Sequence, residues 1–141
     1  MKYYIIVASK DHVSKGEKEG FAQAGHGKKH QLDKLKKNDW IIYYSSKETY
    51  DSTKSFQKFT AIGQIIDEAP FQIKVSAGFE PWRRATHFYP AQDIDIRPLL
   101  ADFTFIIHKK RWGFHFMKGF LEISKADFDR IAEKMLLEST A

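Results

Sequence analysis

Residues 3 to 8 (Tyr-Tyr-Ile-Ile-Val-Ala) are apolar on both faces and rich in β-branched and aromatic side chains, the pattern of a strand buried on both sides. The pattern stops at Ser9. Lys10 to Glu19 is mostly polar, punctuated by Gly16 and Gly20, and suits a loop or a short helix equally. Gln31 to Leu35 predicts one helical turn, and the turn residues Lys37-Asn38-Asp39 lead into a second doubly apolar strand, Trp40 to Ser45. Ser46 to Ser55 is polar and longer than most connections, a length that points to function or mobility. Phe59 to Ile66 predicts a strand in which Gly63 permits a bulge or close packing, with Phe71 to Val75 pairing beyond the turn at Ala69-Pro70. Trp82 to Tyr89 predicts a further strand between two prolines, Pro81 and Pro90. Arg97-Pro98 suits a helix start, and Phe103 to Ile107 and Trp112 to Met117 are further apolar runs. Gly119 to Ile123 reads as a short strand or turn. Ser124 to Leu137 predicts a helix: Ser124 as its cap, Asp127 completing a capping box, and Phe128, Ile131, Met135 and Leu136 as the buried stripe.

Five to seven short strands with two or three helices, not alternating regularly, predict an α+β fold with a mixed or barrel-like sheet. A chain of 141 residues suits one domain over 1–141, large enough to bury a real core. No apolar run reaches the length of a membrane span, and the N-terminus lacks the features of a signal peptide, so a soluble, cytoplasmic protein is expected. The absence of cysteine rules out disulfides and thiolate metal ligands.

The formal charge is +5, a moderate bias toward polyanionic partners, and its distribution says more than the sum. Basic residues gather at Lys28 to His30, Lys34 to Lys37, Arg83-Arg84 and His108 to Arg111, and three of these clusters lie close to Trp40, Trp82 or Trp112. Cations beside exposed rings are what single-stranded nucleic-acid binders use, for phosphates and bases respectively. The segment Gly20-Phe21-Ala22-Gln23-Ala24-Gly25-His26-Gly27-Lys28 adds a recognition loop in outline: a ring that stacks, an amide that reads hydrogen-bonding edges, and a basic pair, His26 and Lys28, that holds an anion.

Signals for catalysis and for metal are weak. The histidines show no ligand spacing, and the glycines match neither the P-loop nor the dinucleotide fingerprint. Asp93 and Asp95 share a face if extended, which surface solvation explains. No metal and no cofactor is expected.

Several segments in register resemble one family. They are Val7 to Val13, Gly20 to Gln23, His26 to Lys28, Lys37 to Ser45, Ile62 to Ile65, Pro81 to Arg84, Phe88 to Pro90, Lys110 to Gly113 and Gly119-Phe120. Together they resemble the EVE domain proteins of the PUA-like superfamily, related to the YTH readers of N6-methyladenine. Asn38 stands where relatives usually carry glycine, a change that asparagine tolerates. The resemblance implies a curved β-barrel with helices packed around it, and binding of a flipped-out modified base, including methylated cytosine, in an aromatic-walled pocket. By position it implies that Phe21 ends the first pocket wall, that Ser9 and His12 lie against the base edge, and that Trp82 stands near the second cage position.

The resulting expectation is a nucleic-acid-binding module that holds one unstacked, modified base of DNA or RNA. Its base pocket comprises Ser9, His12, Phe21, Gln23, Tyr44, Trp82 and Trp112, and its phosphate grip comprises His26, Lys28, Arg83, Arg84, Lys109, Lys110 and Arg111. Two other classes stay open: a small-molecule or nucleotide-binding adaptor, and an enzyme acting on a modified nucleobase through His12 or His26.

Overall fold

The computed structural model describes residues 1–137, so the last four residues of the expected 1–141 domain lie outside it. The two doubly apolar segments form β1 (Tyr3–Val7) and β3 (Trp40–Ser45), which pair in parallel from Tyr3 opposite Trp40 to Val7 opposite Tyr44. Their side chains alternate between two cores, which is why both faces read as apolar. Ile5, Ile42 and Tyr44 point to one core; Tyr4, Ile6, Ile41 and Tyr43 point to the other.

The remaining strands are β2 (Phe21–Ala22), β4 (Lys58–Ile65), β5 (Phe71–Gln72), β6 (Trp82–Phe88), β7 (Ile94–Asp95) and β8 (Phe120–Ile123). The sheet runs β2-β6-β4-β3-β1-β8, with β5 added to β6 and β7 to β4. It is a curved, eight-stranded mixed sheet that does not close, since its outer strands β2 and β8 do not pair among the described residues. The strand count exceeds the expected five to seven because three of the strands are only two residues long.

Gly63 serves close packing. A Cβ there would sit 2.8 Å from the His87 carbonyl oxygen and 2.9 Å from a Thr86 methyl on β6, distances no side chain tolerates. The irregularity lies one turn of pleat away: Tyr43 faces Ala61 and Tyr44 faces Phe59, so Thr60 is extra, and its hydroxyl bonds Ser45 at 2.8 Å.

The ambiguous polar segment is a helix, α1 (Lys10–Glu19), ended by Gly20 in the left-handed region. It buries Val13 in the second core. The C-terminal helix α2 (Lys125–Met135) covers the first core with Phe128, Ile131 and Met135. Leu136 leaves the helix to bridge Ala91, so the stripe is one residue shorter than expected. Ser124 caps α2 by accepting from the Asp127 N–H, but the expected reciprocal half of the capping box is absent. The buried Asp127 carboxylate instead accepts from the Thr104 N–H and hydroxyl, the Phe105 N–H and Arg130. It ties the 103–107 segment to the helix. That segment and residues 112–117 are not strands; Phe103, Ile106 and Phe116 plug the first core from irregular or 3-10 backbone.

Candidate functional site

Where β1 and β3 end, a cavity of about 530 Å³ opens on the face of the second core. It is walled by the start of α1, by β2 and the loop after it, by Arg83 of β6, and by the 116–119 turn. The local sequence explains why space is left. After Phe21 and Ala22 have paired with Ala85 and Arg84, Gly25, His26 and Gly27 take three successive positive φ angles of 56°, 60° and 87°. This turn pulls the chain off the sheet. Gly27 is held there by Pro81, since a Cβ would meet the proline ring at 2.6 Å.

Four expected residues converge at the cavity floor and wall: Ser9, His12, Phe21 and Gln23. The phosphate candidates His26 and Arg83 join them. The guanidinium carbon of Arg83 lies 3.6 Å from the centre of the Phe21 ring, and its Nε donates to Gln23 Oε1 at 2.6 Å. Arg83 is 6% exposed, yet among the described residues no carboxylate lies within ion-pair distance and its two terminal nitrogens make no hydrogen bond. Burial lowers the Arg83 pKa from the ordinary arginine value, opposed at longer range by Glu19. The backbone of Gln23 is fixed in turn by Tyr43, whose hydroxyl accepts from the Gln23 N–H at 3.0 Å and donates to the Gln23 carbonyl at 2.9 Å. Burial pushes the Tyr43 phenol far above its usual value, so it stays a neutral donor.

Two aromatic walls were not anticipated. Tyr50 comes from the long polar loop; its ring stacks on His12 with centroids 5.4 Å apart and meets His26 edge-on at 6.1 Å. Asp11 anchors that loop by accepting from the Tyr50 N–H at 3.3 Å, while Lys10 and Asp11 donate their N–H groups to Lys47 and Glu48. Burial works to raise the Asp11 carboxyl, but hydrogen bonds from Ser9, Tyr50 and His12 outweigh it and hold the group below the usual carboxylate value. Phe79 comes from the tight hairpin at Ser76–Phe79 and stands beside Gly27. The length of the 46–55 loop was the available signal for Tyr50. Phe79 had none beyond the Gly78-Phe79 turn.

The other expected residues are elsewhere. Trp82, one step along β6 from Arg83, does not line the cavity; it packs against the second core with Lys29 over its ring. Arg84 is fully buried: it pairs with Asp67 at 2.6 Å and donates to the Leu32 and Leu35 carbonyls, so it has no reach to a phosphate. Tyr44 and Trp112 lie on the opposite face of the sheet. Lys109 donates to the Leu100 and Phe103 carbonyls, whereas Lys110 and Arg111 are exposed beside Trp112. Lys28 is exposed just outside the cavity wall.

Asp93 and Asp95 do not act as a pair: Asp93 bonds Lys10 at 2.9 Å and Asp95 lies by Arg97. Among the described residues no group of histidines and acids is placed to hold a metal ion, and no helix is long and apolar enough to cross a membrane.

A curved mixed sheet with a polar-floored, aromatic-walled cavity at the end of its parallel strand pair defines a binding module of the PUA-like kind. The chain belongs to the EVE domain family, whose profile matches residues 2–134. It is 43% identical over 136 residues to a UPF0310 protein of Mycolicibacterium vanbaalenii, covering 96% of this chain and 94% of that one. It is 40% identical over 133 residues to the UPF0310 protein YdcG of Bacillus subtilis, covering 94% and 91%. Among solved structures, a hypothetical protein from Leishmania major superposes with a TM-score of 0.56 at 8% identity, covering 94% of this chain and 93% of that one. Protein Atu2648 from Agrobacterium tumefaciens does so at 0.55 and 10% identity, covering 94% and 92%. At those identities the likeness establishes the fold alone.

Proposed function

We propose that this protein binds nucleic acid by taking one unstacked, modified base into the cavity between Arg83, Tyr50 and Phe79. The observation that carries the reading is Arg83, a buried cation whose terminal donors face open space with no carboxylate to satisfy them. These donors are open to solvent at the cavity, so an acceptor-rich planar guest can take the place of water on them. The guanidinium plane stacks on rings and its fork matches carbonyl and ring-nitrogen edges. Gln23 adds an amide whose Nε2 makes no hydrogen bond among the described residues. The volume suits a nucleobase with room for a substituent. His26 and Lys28 at the mouth, both exposed, are placed to meet the flanking phosphates.

The reading is of binding rather than turnover, since the ring of His12, the nearest candidate for proton transfer, is stacked on Tyr50, and Asp11 accepts from the His12 backbone N–H and not from its imidazole. The test is fluorescence anisotropy at fixed salt with short single strands, DNA and RNA, each carrying 5-methylcytosine, 5-hydroxymethylcytosine or N6-methyladenine, against unmodified strands. At least one modified strand binds more tightly than its parent, and Arg83→Met abolishes the difference. Equal binding of all strands by both proteins contradicts the reading.

A further inference from the structure

A second cavity of about 450 Å³ lies on the other face of the sheet, at the same end of β1 and β3. It shares Val7, Phe116 and Met117 with the first, so only that thin partition separates the two. Tyr44 forms its floor, stacked on Phe116 with centroids 4.4 Å apart, and Trp112 stands edge-on to Tyr44 at 6.3 Å. We propose that this cavity is a second base subsite, which receives the unmodified nucleotide next to the modified one in the same strand. The inference rests on the base-binding reading of the first cavity.

Three observations support it. First, the Tyr44 ring is buried while its hydroxyl, which makes no hydrogen bond among the described residues, is not sealed from solvent at the cavity. A hydroxyl open to the cavity can exchange its water for a ligand acceptor or donor. Secondly, Gln57 beside it holds a left-handed φ of 57° and spends its carbonyl oxygen on Arg97, which leaves the amide nitrogen to donate. Ring, hydroxyl and amide together form the chemistry that grips a base on its face and edge. Thirdly, the exposed cations Lys110 and Arg111 directly precede Trp112, which places positive charge where the strand leaves the subsite. Trp112 thus keeps a role in base binding, but for a different base from the one held near Phe21.

The experiment uses the modified strand that binds best in the panel above, with an abasic residue replacing one neighbour of the modified base at a time. With the parent protein, one of the two abasic strands binds about tenfold more weakly, the size of one lost base stack. Tyr44→Phe, which keeps the ring and the fold, and Trp112→Ala each weaken the intact strand but no longer distinguish it from that abasic strand. Binding that is indifferent to both abasic substitutions, or equally sensitive to them in parent and variants, overturns the second subsite while leaving the first reading intact. If no strand in the panel binds, both fall together.

Discussion

The Arg83 guanidinium lies over the Phe21 ring at 3.6 Å, so one face of the phenyl ring is occupied by the protein's own cation. Phe21 therefore supports Arg83, and in the proposed binding mode it is the guanidinium that meets the base. Phe21→Leu keeps the volume of the wall but removes the flat support. The expected result is about tenfold weaker binding of a modified strand with thermal stability reduced by a few degrees at most, read by anisotropy and by melting.

Neighbouring arginines on β6 have opposite fates, and this separates a structural from a recognition role. Arg84→Met leaves the Asp67 carboxylate without its cation and the Leu32, Leu35 and Asp67 carbonyls without their side-chain donor, and is expected to cost roughly 3 kcal/mol in urea unfolding. It leaves the salt dependence of strand binding unchanged. Lys28→Ala does the reverse: stability holds, and the slope of affinity against salt falls by about one phosphate contact.

Gly63→Ala drives a methyl group into the His87 carbonyl and the Thr86 side chain. A destabilisation of about 1–3 kcal/mol is expected, measurable by denaturant unfolding, because β4 and β6 must part locally to admit it.

Tyr43 and Tyr44 are both raised above the ordinary phenol value, chiefly by burial. Each group's contribution to stability is whole below the unfolded-chain value near 10 and is lost as pH rises from there through the folded value. The melting temperature is expected to fall steadily above that pH. Tyrosinate absorbance of the native protein should show these two phenols ionising only as the chain unfolds; early ionisation of all six tyrosines would contradict their burial.

The two central strands were legible because their apolar runs are long and doubly buried, a pattern few other elements produce. Ser124 and the stripe of α2 were legible for the same kind of local reason. Asp127 was misread because a carboxylate at the third helical position has two uses, and tertiary contacts with Thr104 and Phe105 won. The site was half legible. Ser9 and His12 stand at the start of α1 and Phe21 and Gln23 just beyond its end, so one short helix links the two halves of the cavity lining. Trp82 and Arg84 went astray because strand parity, invisible without a fixed register, decides which of three successive residues faces the cavity. Tyr50 and Phe79 arrive from loops whose docking is set by contacts distant in sequence.

In the proposed binding mode the base enters the cavity at the end of β1 and β3. This placement is tested most directly by adding each strand of the panel to isotope-labelled protein and following its backbone amide resonances. With a modified strand, the amides of Gln23, Gly25, His26, Tyr50 and Phe79 should shift together in proportion to occupancy, while those of α2 stay still. Shifts that spare these residues, or none with any strand, would contradict the account.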